Sequence, residues 1–385
     1  MAWTPPTFMN NLARMNSPFM KRRDFLKNSL AGVVLSAEAM KAAQGKEDVI
    51  NVVGKLIQEK VDAGVIDAAT IYLRLGDRVE QRWFGQAHSM DAMFLLGSIT
   101  KPMAITGVMT LVDEGLIDLS DKVVKYLPEF SEGERKEITV QQLLTHTSGL
   151  PDQLPENAEL RRQHAPLSDF VAGAMRAPLL FKPGTGYNYQ SMGILLAAEI
   201  AQRITGTTIH AMLSDRVFGP LGMTRSSLGL RPFQTSDIIA SQMEGAARES
   251  GAGSAEAKNW DWNSPYWRNL GAPWGGGYSS VDDVARFLES FLKPDGKVVR
   301  EQTARDMIRN YNIGLDTPRG LGFALGPNGF GTGCSEKTFG HGGSTGTVAW
   351  ADPEKDRLCV ILTSLPARKS RSLILNPVGD LISSA

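Results

Sequence analysis

Hydrophobic residues change their spacing several times along this chain. Val49, Ile50, Val53, Ile57 and Val61 recur at helical intervals, which predicts an amphipathic helix over about Glu47 to Ala63. Ala68 to Leu75 and Val79 to Phe84 are rich in apolar and β-branched residues and flank a Gly76-Asp77-Arg78 turn, so they predict a hairpin. From Pro102 to Glu114 the chain is apolar almost all round, the pattern of a helix buried on most sides, and Gly115 ends it. Between about Leu119 and Leu270 helical patterns alternate with Pro/Gly loops, notably at Val140 to Leu144, Leu167 to Arg176, Met192 to Thr205 and His210 to Val217. Gly251 to Pro273 has no periodicity and carries Trp260, Trp262 and Trp267, with Trp274 just beyond. It reads as a long loop lining a cleft.

The pattern then reverts. Val281 to Leu292 is helical, Thr345 to Ala351 and Arg357 to Thr363 are strands joined by the turn at 352–356, and a last helix starts near Ser370. Strands at both chain ends around a helical middle predict an α/β fold: an antiparallel sheet built from both ends and flanked by helices, with a mostly α-helical subdomain inserted over about 119–270. The crevice between the two parts is the default binding site.

The first 46 residues differ from the rest. Arg22-Arg23 followed by Phe25-Leu26-Lys27 resembles a twin-arginine export signal, with Leu30 to Ala37 as a short apolar run and small residues to Ala43 as cleavage sites. The expected organisation is a leader over 1–46 and one domain over 47–385, exported to the periplasm or beyond. An amphipathic N-terminal helix on a cytoplasmic protein is the alternative, and Met20 competes with Met1 as the start. No run of about 18 apolar residues follows, so stable membrane insertion is not expected.

Composition narrows the chemistry. Lys+Arg and Asp+Glu balance at 41 each, which leaves no global footprint for nucleic acid and favours a small-molecule substrate. Cys334 and Cys359 have no metal-ligand spacing, and the five histidines form no helical pair, so neither a metal nor another cofactor is expected.

Ser98-Ile99-Thr100-Lys101 opens the buried helix, with the hydroxyl near a helix N-terminus and the amine one turn on, on the same face. A serine hydroxyl needs an adjacent base to become a nucleophile, a lysine held in a packed site can serve, and the helix N-terminus offers N–H donors to an oxyanion. The spacing alone is weak, since Ser290-Phe291-Leu292-Lys293 repeats it at the end of a surface helix.

Company strengthens the first copy. Gly97 to Lys101 before an apolar helix and Asp113-Glu114-Gly115, the Leu143 to Leu150 stretch (Leu-Leu-Thr-His-Thr-Ser-Gly-Leu), Pro183-Gly184 ahead of Tyr189-Gln190-Ser191, Gly275 to Ser280, and His341-Gly342-Gly343 follow one another in order. Together they resemble the serine β-lactamase and penicillin-binding-protein family, class C branch, and its family VIII esterase-like members. That resemblance implies Ser98 as acyl-accepting nucleophile, Lys101 as its base, Tyr189 as proton shuttle, and the N–H groups of Ser98 and Ser344 as oxyanion hole, with Ser191, His341, Gly342 and Gly343 binding substrate. Taken alone, Tyr189 reads as a core or rim aromatic and His341-Gly342-Gly343 as a turn.

Two departures bear on substrate. Ser191 stands where the family has an amide-bearing Asn, and His341 where it has a lysine, so the fixed cation for a substrate carboxylate is weakened and acid is expected to restore part of it. Esters, or related amides and lactones, are therefore expected ahead of β-lactams; a β-lactamase or D-amino-acid peptidase or amidase of the same family is the alternative. Two rivals differ in kind. Gly342-Gly343-Ser344-Thr345-Gly346 fits a nucleophile elbow, but that fold needs a later histidine and none follows His341. A catalytically silent peptide-binding or assembly protein is opposed by Ser98, Lys101 and Tyr189 occurring together.

Overall fold

The computed structural model describes residues 48–385. The expected leader, the Arg22-Arg23 pair read as its signal and the expected boundary at 46 lie outside the described residues. In chain order the main elements are α1 (Val49–Asp62), β1 (Ala68–Leu75), β2 (Arg78–Gly85), β3 (Phe94–Leu95), α2 (Thr100–Asp113), α3 (Leu167–Arg176), α4 (Met192–Thr205), β4 (Ser226–Leu228), β5 (Gly277–Ser279), α5 (Val281–Leu292), β6 (Ala324–Leu325), β7 (Phe339–Gly343), β8 (Thr347–Asp352), β9 (Arg357–Thr363) and α6 (Asn376–Ser384).

Six strands form one antiparallel sheet in the order β2-β1-β9-β8-β7-β6. The two chain ends meet where β1 pairs with β9, Ala69 opposite Thr363, as the sequence pattern predicts. Both faces of this sheet are covered. Tyr72, Ala349, Ala351, Val360 and Leu362 join the main core with Phe287 and Phe291 of α5, while the alternating Ile71, Leu73, Val348, Trp350 and Ile361 are buried on the opposite face. There α1 and α6 pack on the sheet and on each other. Asp48 caps α1 by accepting from the Ile50 N–H at 3.3 Å, and Val49, Ile50, Val53 and Ile57 supply its buried stripe.

Every residue of α2 from Thr100 to Leu111 is buried, because the helix runs through the centre, against α4 of the helical portion. A second sheet, β3-β5-β4, lies beside the start of α2. Its strands of two and three residues are too short for a period-two pattern to show.

Three local expectations are corrected. His341-Gly342-Gly343 is not a turn but the end of β7, where Gly343 pairs with Thr347. Gly251 to Pro273 is not wholly irregular, for it holds the helix Pro265–Leu270, capped by Ser264 Oγ accepting from the Trp267 N–H at 3.1 Å. The helix expected over His210 to Val217 spans Ile209–Leu213 and continues as a π turn, Ser214–Phe218.

Candidate active site

Ser98 sits in a single 3-10 turn, Gly97–Ile99, between β3 and α2. Gly97 adopts φ +56°, and a Cβ there would lie 2.9 Å from Thr345 Oγ1 and 3.2 Å from Ser344 N. Glycine thus lets the serine turn press against the β7–β8 connection. Two hydrogen bonds tie these parts: Thr345 Oγ1 to Leu95 O and Thr347 Oγ1 to Leu96 O, each 2.7 Å. The packing brings Ser98 and Ser344 to the wall of one cavity of about 130 Å³. Gly343 is the keystone of this contact, since a Cβ there would collide with Leu96 O and Thr347 Oγ1. Gly343→Ala is therefore expected to push β7 off the serine turn and lower the ester hydrolysis expected of Ser98 roughly tenfold or more, because a displaced nucleophile reacts slowly; steady-state kinetics with circular dichroism as a folding control checks it.

Lys101 is 1 % exposed, and its Nζ donates to Ser98 Oγ at 3.1 Å and to the Trp274 carbonyl at 2.9 Å. Among the described residues no carboxylate lies within 4.0 Å of that amine. The Tyr189 ring lies beside it, with its centroid 4.7 Å from Nζ. The Leu143 to Leu150 stretch positions the tyrosine through the backbone. His146, at φ +63°, accepts from the Asn188 N–H through its carbonyl and from the Gln190 N–H through Nδ1, at 3.0 and 3.2 Å, while Ser148 Oγ donates to Gln190 Oε1 at 2.7 Å. Accepting at Nδ1 fixes the proton of neutral His146 on Nε2.

The expected substrate-binding residues are placed differently from one another. Ser191 lines the cavity, with its hydroxyl donated to Asp152 Oδ1 at 2.6 Å. His341 is buried on β7 and does not line it; its ring nitrogen Nδ1 donates to the Gly342 carbonyl at 2.8 Å. Burial above all, and then the positive charge of Arg319, hold the His341 imidazole well below the usual histidine range. It is neutral at pH 7. Gly342 and Gly343 contribute strand backbone beside the cavity rather than its wall.

Sequence reasoning missed several neighbours. Arg319 donates through Nε and Nη2 to the Tyr187 hydroxyl at 3.1 and 2.7 Å, and its guanidinium carbon is 5.5 Å from the Tyr189 ring. Arg161, Asp152 and Glu249 line the cavity with Trp262, Trp267 and Trp274. The tryptophans were the legible signal, since the stretch carrying them was expected to line a cleft. Ser290 and Lys293, the second copy of the spacing, bond separately: Ser290 Oγ donates to Phe287 O, and exposed Lys293 faces Asp356 at 3.7 Å. Larger depressions exist, one of about 730 Å³ beside His164 and Tyr266 and one of about 410 Å³ lined by Ser290 and Lys293, but that serine and lysine form no hydrogen bond with each other. Among the described residues, no cluster of His, Cys, Asp and Glu could hold a metal ion, and no helix is long and apolar enough to cross a membrane.

A buried lysine on a serine hydroxyl, an adjacent phenol and the Ser344 backbone N–H of the β7–β8 turn at one small cavity are the parts acyl transfer needs. The family model described as Beta-lactamase matches residues 53–378. An Escherichia coli K12 protein provisionally named D-alanyl-D-alanine carboxypeptidase is 23 % identical over 385 aligned positions, covering 86 % of each chain. Among solved structures, a family VIII carboxylesterase superposes with a TM-score of 0.67 at 23 % identity, covering 83 % of this chain and 95 % of that one. The D-amino acid amidase of Ochrobactrum anthropi SV3 gives 0.66 at 21 % identity, with 86 % and 98 % covered. At that identity these structures share the fold.

Proposed function

The chain belongs to the Beta-lactamase family, and we propose that within it the protein is a serine hydrolase forming an acyl-enzyme on Ser98, with carboxylic esters preferred and related amides or lactones next. The observation that carries this reading is the 3.1 Å contact of Lys101 Nζ with Ser98 Oγ at the wall of a cavity. In the proposed cycle Ser98 Oγ attacks the substrate carbonyl carbon while its proton passes to Lys101. The carbonyl oxygen becomes an oxyanion held by the N–H groups of Ser98 and Ser344, which charge development makes worth far more in the transition state than in the ground state. Collapse breaks the bond to the leaving group, which takes a proton by way of Tyr189. Water then attacks the Ser98 ester, loses a proton to the same Lys101–Tyr189 pair and releases the acid and the serine.

Two features support the ester preference. His341, in the place where the family carries a lysine, is neutral, so it supplies no cation for a substrate carboxylate. Ser191 offers a hydroxyl already engaged by Asp152 in place of a side-chain amide. Treating the unmodified protein with a fluorophosphonate and digesting it is expected to place the label on Ser98. Label on Ser344 would move the nucleophile to the Gly-x-Ser-x-Gly segment, and no label would favour a silent binding protein. A panel of p-nitrophenyl esters, D-amino-acid amides and a chromogenic cephalosporin then ranks substrates, with short-chain esters expected first. Export remains part of the proposal: replacing Arg22 and Arg23 by lysine should retain the protein in the cytoplasm of its host.

A further inference from the structure

The cavity that Ser98 shares with Arg161 holds a guanidinium whose hydrogen bonding the protein leaves incomplete. Arg161, on the short helix Asn157–Arg162, is 1 % exposed. Its guanidinium lies over the Trp267 ring at 4.2 Å and its Nε donates to Asn157 Oδ1 at 3.2 Å, but Nη1 is buried and no described residue accepts from it. No described carboxylate lies within 4.0 Å of it either. Burial lowers its pKa only to about 10, so it stays charged at neutral pH. A buried, half-bonded cation is unfavourable unless an acceptor arrives with the ligand.

The two other charged groups on this wall do not fill that place. The Asp152 carboxylate receives the Ser191 hydroxyl. Burial raises the Glu249 carboxyl above its usual range while the Arg161 charge pulls the other way, and the two side chains make neither a hydrogen bond nor an ion pair within 4.0 Å. A cavity of about 130 Å³ walled by Trp262, Trp267 and Trp274 suits the group that stays attached to Ser98, since the leaving group must depart to solvent.

Resting on the hydrolase reading above, we propose that Arg161 is a specificity-determining residue that binds a carboxylate carried on the acyl part of the substrate, so that half-esters of short dicarboxylic acids are preferred. The test compares mono-p-nitrophenyl glutarate and adipate with their neutral methyl esters and with p-nitrophenyl 4-aminobutyrate, spontaneous hydrolysis subtracted. The anionic acyl group is expected to raise kcat/KM about 10- to 100-fold over the neutral one, the scale of one charge-assisted hydrogen bond. Arg161→Met should bring that ratio to about one, and Arg161→Lys should keep part of it. A wild-type ratio near one overturns the inference without any variant, and if Arg161→Met fails to fold, the partial ratio in Arg161→Lys still reads this residue. Equal rates for anionic and neutral esters, or preference for the ammonium ester through Asp152 and Glu249, would overturn this inference and leave the hydrolase reading intact. No turnover of any ester, with no fluorophosphonate adduct, would remove both.

Discussion

Ser98→Ala and Lys101→Met are each expected to lower ester hydrolysis by about three to six orders of magnitude with the fold retained. Residues that act as one unit lose nearly everything when either is removed, because the survivor has no partner to work through. Ser98 depends on one side-chain hydrogen bond: among the described residues its Oγ bonds to Lys101 Nζ and to no other side chain. Alanine at 98 removes one oxygen from a cavity wall, so packing changes little. Lys101 demands more care. Its stem fills space at the centre of the molecule and its amine holds the Trp274 carbonyl, so Lys101→Ala would leave a void worth about 2–5 kcal/mol as well as removing the base. Methionine restores most of that volume and isolates the chemical effect. Ser344→Ala is the informative contrast: its proposed contribution is a backbone N–H, which alanine keeps, so it should lose far less. Circular dichroism, p-nitrophenol release and intact-mass detection of the acyl-enzyme read all three. A loss in Ser344→Ala comparable to that in Ser98→Ala would sink the assignment.

Much of the frame was legible because long elements carry strong periodicity. Ala68–Leu75, Leu167–Arg176, Met192–Thr205, Val281–Leu292 and Arg357–Thr363 were readable to the residue, each having an uninterrupted apolar face or run and a clear stop such as Gly206. The elements that were not legible are held by tertiary contacts. β3, β4 and β5 are too short to show a period, and β7 ends in His-Gly-Gly, whose local preference is a turn; its strand conformation comes from pairing with β8. The Pro265–Leu270 helix had a readable start, Ser264 as cap and Pro265 at the first position, that the absence of periodicity in its surroundings hid.

The site divides in the same way. Ser98 and Lys101 are three residues apart, so local spacing alone implies that they meet. Tyr189 joins them from 88 positions downstream of Lys101, and only the ordered motifs hinted at it. Arg161 and Arg319 were invisible, because an arginine on a short helix or in a loop reads as solvated surface until the packing that buries it is known. The same blindness misjudged His341. Its side chain looked like a titratable substitute for a lysine, whereas the fold buries it.

That burial sets the last prediction. A chromogenic cephalosporin is expected to be hydrolysed with kcat/KM roughly 10- to 100-fold below that of a short-chain p-nitrophenyl ester, the loss of one charge-assisted hydrogen bond to the ring carboxylate. Acidification is not expected to narrow the gap. An unperturbed imidazole would gain its proton near pH 6.5 and supply the missing cation, which is what the sequence led one to expect. In the folded protein burial, and then Arg319, push the His341 pKa well below that value, so the ring stays neutral while the pH falls through the mid-sixes. The ratio of cephalosporin to ester rates cancels groups common to both reactions and isolates the carboxylate anchor. Stability should move instead. His146 is likewise held well below its ordinary value, and His210 below it, by burial first in each. Below about pH 6.5 the unfolded chain therefore binds protons at these three histidines that the native state refuses, and stability falls with falling pH by up to about 1.4 kcal/mol per histidine per pH unit until the folded values are reached. Calorimetry at pH 8 and 5.5 should show Tm dropping on the acid side, with a shallower drop in His341→Gln. A cephalosporin-to-ester ratio that climbs on acidification, in protein whose Tm does not fall, would show His341 taking up its proton in the native state and would refute both halves of the argument.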